Sequence, residues 1–119
     1  MKASVNSASV NSTSRNVLTP GMVLGIEMLL VAYRYAVDVH RDHWDFAVEI
    51  ESLQATGMNG AELRWLVCKG FVRHAEEKAD KAKPQRAFRN VGETTFRERS
   101  CFVLTQEGFA SYKRLIPEK

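Results

Sequence analysis

The sequence predicts a small α+β domain, mostly helical, with a two-stranded β-hairpin. Three observations predict it. Residues 59–72, NGAELRWLVCKGFV, pass from helical to strand-like patterning with a stop signal at each end. A long apolar segment opens at Thr19-Pro20. Two β-prone runs, around Phe71 and Phe102, flank a long polar stretch. The chain has 119 residues and 45% apolar content, which is room for one domain with one core.

Composition excludes several classes. Glu27, Arg34 and Asp38 interrupt the most apolar segment, so no transmembrane helix is expected. The N-terminus has no apolar signal region. Cys68 and Cys101 form neither a spaced metal motif nor a disulfide framework, so two free thiols in a cytoplasmic protein are expected. The net charge of +3 is unevenly spread. Residues 20–58 carry 2 Arg against 6 Asp/Glu, and residues 59–119 carry 13 Lys/Arg against 8 Asp/Glu. A basic half points to an anionic partner; an ordinary solvated surface is the plainer reading.

Residues 1–19 are rich in Ser and Asn, and Ser4-Val5-Asn6-Ser7 recurs as Ser9-Val10-Asn11-Ser12. Such a segment buries too little to offset its ordering entropy, so a disordered tail is expected, with the domain spanning 20–119. Thr19 as cap and Pro20 at the first position then start a helix running to about His40. Its apolar residues cover most of its circumference, so it needs partners on more than one side. One side is the core. The other is either a second subunit, giving a homodimer through this helix, or the rest of the chain.

Arg41-Asp42-His43-Trp44 breaks the pattern. Asp45 is expected to cap a second helix with Phe46, Ile50 and Leu53 on one face, ended by Thr56-Gly57-Met58. Asn59 then caps a third helix, over about 59–69, with Glu62 completing a capping box. Leu63, Leu66 and Val67 form its buried face, and Gly70 is placed to take a left-handed conformation beyond its end. Helix, tight glycine turn and capped helix is the helix-turn-helix order.

A strand is expected over Phe71–Ala75, then a basic stretch over about 76–95, then a second strand over about Phe96–Leu104 with Phe102 and Leu104 alternating with exposed positions. Thr105 caps a last helix containing Phe109, Tyr112, Leu115 and Ile116, stopped by Pro117.

Leu63-x-x-Leu66-x-x-x-Gly70-Phe71-Val72 and Leu104-Thr105-x-x-Gly108, in this order, resemble the winged helix-turn-helix superfamily, especially MarR-type and PadR-type bacterial regulators. The first motif is similar to the end of a recognition helix leading into a wing, and the second to the junction that follows the wing. The resemblance covers about residues 20–116. The basic stretch is longer than the usual wing, and the closing helix is too short for the long dimer arm of the MarR type. The resemblance implies a DNA-binding regulator of transcription. The residues expected to face double-stranded DNA are Asn59, Gly60, Ala61, Arg64, Trp65 and Lys69 on the third helix, and Lys81, Lys83, Arg86 and Arg89 in the wing.

Physical chemistry supplies the roles. Gly60 and Ala61 at a helix N-terminus present backbone N–H groups to a phosphate. Arg64 can reach a guanine edge or a phosphate. The wing cations can follow the neighbouring backbone or a minor groove. Against this, Arg64 is equally a solvated helix residue, the lysines a soluble loop, and Trp65 a half-buried packing residue whose indole obstructs the reading face. The alternative function is a winged helix used for protein interaction or assembly through the first helix. His40 and His43 with Asp42 or Asp45 are a weak metal constellation, and Cys68 and Cys101 read as two buried small hydrophobes. No phosphate-binding loop or catalytic set occurs, so neither enzyme activity nor a cofactor is expected.

Overall fold

The computed structural model describes residues 18–78, 85–92 and 94–115, the last three of these as backbone only. The tail over 1–17, Lys81, Lys83, Ile116 and Pro117 lie outside the described residues. The order is helix α1 (Pro20–Asp38), a 3-10 turn (His43–Phe46), strand β1 (Val48–Glu49), helices α2 (Ile50–Ala55) and α3 (Gly60–Cys68), strands β2 (Val72–Glu77), β3 (Phe88–Arg89) and β4 (Ser100–Leu104), and helix α4 (Gln106–Leu115). The protein is thus a mixed α+β structure. Its sheet is antiparallel with strand order β1-β4-β2-β3, four strands where sequence patterning shows two.

Helix α1 starts as its sequence dictates. The Thr19 hydroxyl accepts from the Met22 N–H, and Pro20 occupies the first turn, where no backbone donor is needed. Met22, Ile26, Leu29 and Leu30 form its buried face. By length and composition α1 would suffice to cross a membrane; here that apolar face packs into the core. His40, at φ 57°, turns the chain out of the helix.

The next segment departs from expectation. Asp42, not Asp45, is the cap: its carboxylate accepts from the Trp44 N–H and starts the 3-10 turn. Val48 and Glu49 pair with Phe102 and Cys101 in the sheet. This pairing delays α2 to Ile50 and excludes Phe46 from it. Val48 is β-branched and its ladder partners are distant in sequence, so tertiary pairing overrides the local helical pattern.

The turn between α2 and α3 is held by contact with α1. A Cβ on Gly21 would lie 2.5 Å from the Gly57 carbonyl carbon, so two glycine backbones meet where no side chain fits. Gly57 itself has φ 102°. The Thr56 hydroxyl donates to the Leu53 carbonyl at 2.6 Å and lies 3.2 Å from the Gly21 carbonyl.

One face of the sheet presents Val72, Phe102 and Leu104 to a core built with Ile26 and Leu29 of α1, Leu53 of α2, and Leu63 and Leu66 of α3. Each such side chain contributes about 1.5–3 kcal/mol on full burial. The other face is covered too. Val103, at a position expected to be exposed, is buried with Cys101 and Ala47 beneath Trp44 and Phe88. Every residue of β4 is therefore buried, because the 3-10 turn and the returning β3 strand roof the second face.

Candidate nucleic-acid interface

Helix α3 is fixed at both ends. The Asn59 side chain accepts from the Glu62 N–H at 2.8 Å, and Glu62 Oε1 accepts from the Asn59 N–H at 2.9 Å, which completes the capping box. Glu62 Oε2 also accepts from the Thr19 hydroxyl at 2.8 Å, so one carboxylate joins the first turns of α1 and α3. At the far end Gly70 takes φ 78°. The Thr105 hydroxyl donates to the Gly70 carbonyl at 2.7 Å and accepts from the Gly108 N–H at 2.9 Å. The two sequence motifs thus meet in space, and a Cβ on Gly108 would fall 2.2 Å from the Phe71 carbonyl oxygen.

Leu63 and Leu66 bury the inner face of α3, with Val67 half-buried. The outer face carries Ala61, Arg64 and Cys68, all exposed. The exposure of Cys68 corrects the expectation of two buried thiols; only Cys101 is buried. Arg64 folds toward the helix start, its NH1 3.5 Å from where a Gly60 side chain would begin. Among the described residues Arg64 has no carboxylate within ion-pair distance. Trp65 is half-buried and meets Phe71 edge-on, with the Lys69 ammonium 6.0 Å from its ring centre and 5.8 Å from that of Phe71. The indole is thus part of the packing at the helix end. Through its hydrogen bond with the Asn59 N–H, the Glu62 carboxylate puts a negative group at the N-terminus of α3, where the helix dipole favours one.

Two of the residues expected to face DNA, Arg86 and Arg89, are engaged within the protein. Arg86 donates from Nε to Glu77 Oε2 at 2.9 Å and from NH2 to Glu77 Oε1 at 3.1 Å. Its NH1 donates to the carbonyls of Ala47 (3.1 Å) and Asp45 (3.3 Å). It therefore clamps the returning chain onto the sheet. The hydrogen bonds from Arg86 hold the Glu77 carboxyl below the usual range, and Glu77 raises Arg86 in return. Arg89 pairs with Glu76 at 2.9 Å on the adjacent strand, and Arg97 approaches the same carboxylate at 3.9 Å. Burial pushes the neighbouring Cys101 thiol up to about 11.

A cleft of about 390 Å³ opens beside Arg86, lined by Asp42, Trp44, Asp45, Arg73, Phe88 and Arg89 among others. Trp44 and Phe88 are 5.2 Å apart, and the Arg73 guanidinium lies 5.8 Å from the Trp44 ring centre. Sequence reading missed Arg73 as an exposed cation beside the basic segment. Its alternation with Val72 in the expected strand was the available signal. Among the described residues no group of His, Cys, Asp and Glu could hold a metal ion. Comparisons with protein-family models, with curated proteins and with solved structures found no match.

Proposed function

We propose that this chain is a winged helix-turn-helix protein that binds double-stranded DNA and regulates transcription. In this reading α2, the Thr56–Met58 turn and α3 form the helix-turn-helix, and the β2–β4 pair with the intervening residues forms the wing. One observation carries it: α3 is anchored along Leu63 and Leu66 and pinned at both ends, while Arg64 is exposed on its outer face, its guanidinium over Gly60, without an ion pair among the described residues. A rigid helix with a guanidinium on an exposed face is what base or phosphate contact requires.

Within this reading the roles are divided as follows. Arg64 and Lys69 supply the helix charges, and Lys81 and Lys83 the wing charges. Arg86 positions the wing without touching the nucleic acid, and Arg89 is half-neutralised by Glu76. Trp65 stiffens the helix end. A duplex-binding assay on Lys81→Ala/Lys83→Ala and on Arg64→Ala tests the assignment. The wing variant is expected to weaken all sequences alike and flatten the salt dependence, and the helix variant to relax preference at one base position. Unchanged binding in both variants contradicts it.

A second reading, an assembly module, is favoured by one specific observation. All the exposed large hydrophobic side chains among the described residues lie between Leu24 and Val39.

A further inference from the structure

Four of the five exposed large apolar residues of α1 are ordered, Val37 standing apart from them. Leu24, Met28, Val31 and Tyr35 follow one another at spacings of four, three and four residues, the seam pattern of a two-stranded coiled coil. They are exposed by 53%, 36%, 43% and 58%, on the side of α1 away from Met22, Ile26 and Leu29. A contiguous apolar seam of this kind on an otherwise polar surface marks an interaction site.

The residues flanking the seam select the occupant. Glu27 and Arg34 border the same edge, seven residues apart, and both are exposed. They stand about 10 Å apart along the helix axis and cannot pair within one helix. Arg34 donates from NH2 to the Tyr112 hydroxyl at 2.9 Å, which holds its guanidinium at this edge with other donors spare. Glu27 has no ion-pair partner among the described residues. If a second α1 is laid antiparallel along the seam, Met28 faces Val31 and Leu24 faces Tyr35, each twice by symmetry. The same register brings Glu27 of each helix opposite Arg34 of the other. The surface is therefore complementary to itself in both shape and charge, as a two-fold interface must be.

We propose that α1 is the homodimer interface of this protein, formed by antiparallel packing of Leu24, Met28, Val31 and Tyr35 with two reciprocal Glu27–Arg34 pairs across the two-fold axis. This goes beyond the DNA-binding reading and does not rest on it. Four apolar layers make a small contact, so association is concentration-dependent and reversible.

Sedimentation velocity on the full chain, over about 5–500 µM protein, tests it. A mass rising from monomer to dimer is expected, with Leu24→Gln/Val31→Gln remaining monomeric and keeping the helical circular-dichroism spectrum. The register is tested separately. Glu27→Arg alone and Arg34→Glu alone should each weaken self-association at least fivefold, by placing like charges opposite each other. Mixing the two variants should restore dimers as a heterodimer, because each supplies the charge the other lacks. That recovery requires contact between chains, so a folding defect within either chain cannot mimic it. A chain that is monomeric throughout the range overturns the proposal, whatever else covers the seam. Dimers unaffected by either charge reversal, or reversals that mixing does not rescue, overturn the interface as drawn.

Discussion

Arg86 meets Glu77 as a two-point clamp, Nε to Oε2 at 2.9 Å and NH2 to Oε1 at 3.1 Å, both side chains largely withdrawn from solvent. The same guanidinium donates to the carbonyls of Asp45 and Ala47. Arg86→Ala is expected to destabilise the fold by about 2–4 kcal/mol, since it strands a carboxylate and two carbonyls together. Arg86→Lys should recover only part of this, because an ammonium cannot make the fork. Urea denaturation checks both, and an effect below about 0.5 kcal/mol for the alanine variant would remove the clamp from the account.

The clamp also sets a pH dependence. Arg86 lowers the Glu77 carboxyl in the folded state, so the carboxylate form is favoured by folding. That contribution is complete above the unfolded carboxyl value, about 4.3. It is lost as pH falls through the lowered folded value. Glu77→Gln should therefore be less stable than the parent at neutral pH, with the gap closing under acid conditions. Parallel stability curves for the two proteins from pH 7 down to about 2.5 would count against the linkage.

Some of this architecture was legible in the sequence, and some was not, for identifiable reasons. The Thr19-Pro20 start, the Asn59/Glu62 box and the left-handed Gly70 are local devices, satisfied by residues within a few positions, and they stand where the sequence places them. β1 and the roofed second face of the sheet depend on partners far away: Val48 on Phe102, and Cys101 and Val103 on Trp44 and Phe88. The periodicity of Phe46, Ile50 and Leu53 is helical, and only the pairing of Val48 breaks it. At the site, the exposure of Arg64 followed from helix geometry. The capture of Arg86 did not, because Glu77 belongs to a strand extending two residues beyond the expected end.

The two thiols should be sharply distinguishable. Cys68 is exposed on α3, whereas Cys101 is buried with its thiol raised to about 11, so it carries almost no thiolate at neutral pH. Titration of the native protein with a chromogenic disulfide at pH 8 is expected to consume one equivalent quickly, and the second only after denaturation. Rapid reaction of both would show that the roof over Cys101 opens readily.

Gly108 is required by the junction between the two motifs. A methyl group there would fall 2.2 Å from the Phe71 carbonyl oxygen, against backbone that is itself held by the Thr105 N–H at 2.9 Å. Gly108→Ala is expected to lose about 1–3 kcal/mol, although alanine favours helices elsewhere. A neutral or stabilising effect in thermal denaturation would mean that α4 moves away from Phe71 without penalty.

The central claim is that the anchored α3 and the basic segment bind duplex DNA electrostatically. Fluorescence anisotropy of the full chain with a labelled duplex of about 25 base pairs, titrated between about 25 and 200 mM salt, tests it most directly. With Arg64, Lys69, Lys81 and Lys83 as the phosphate and base contacts, the logarithm of the affinity should fall with the logarithm of salt at a slope of about −3 to −4. No binding at the lowest salt, or binding indifferent to salt, would contradict the account.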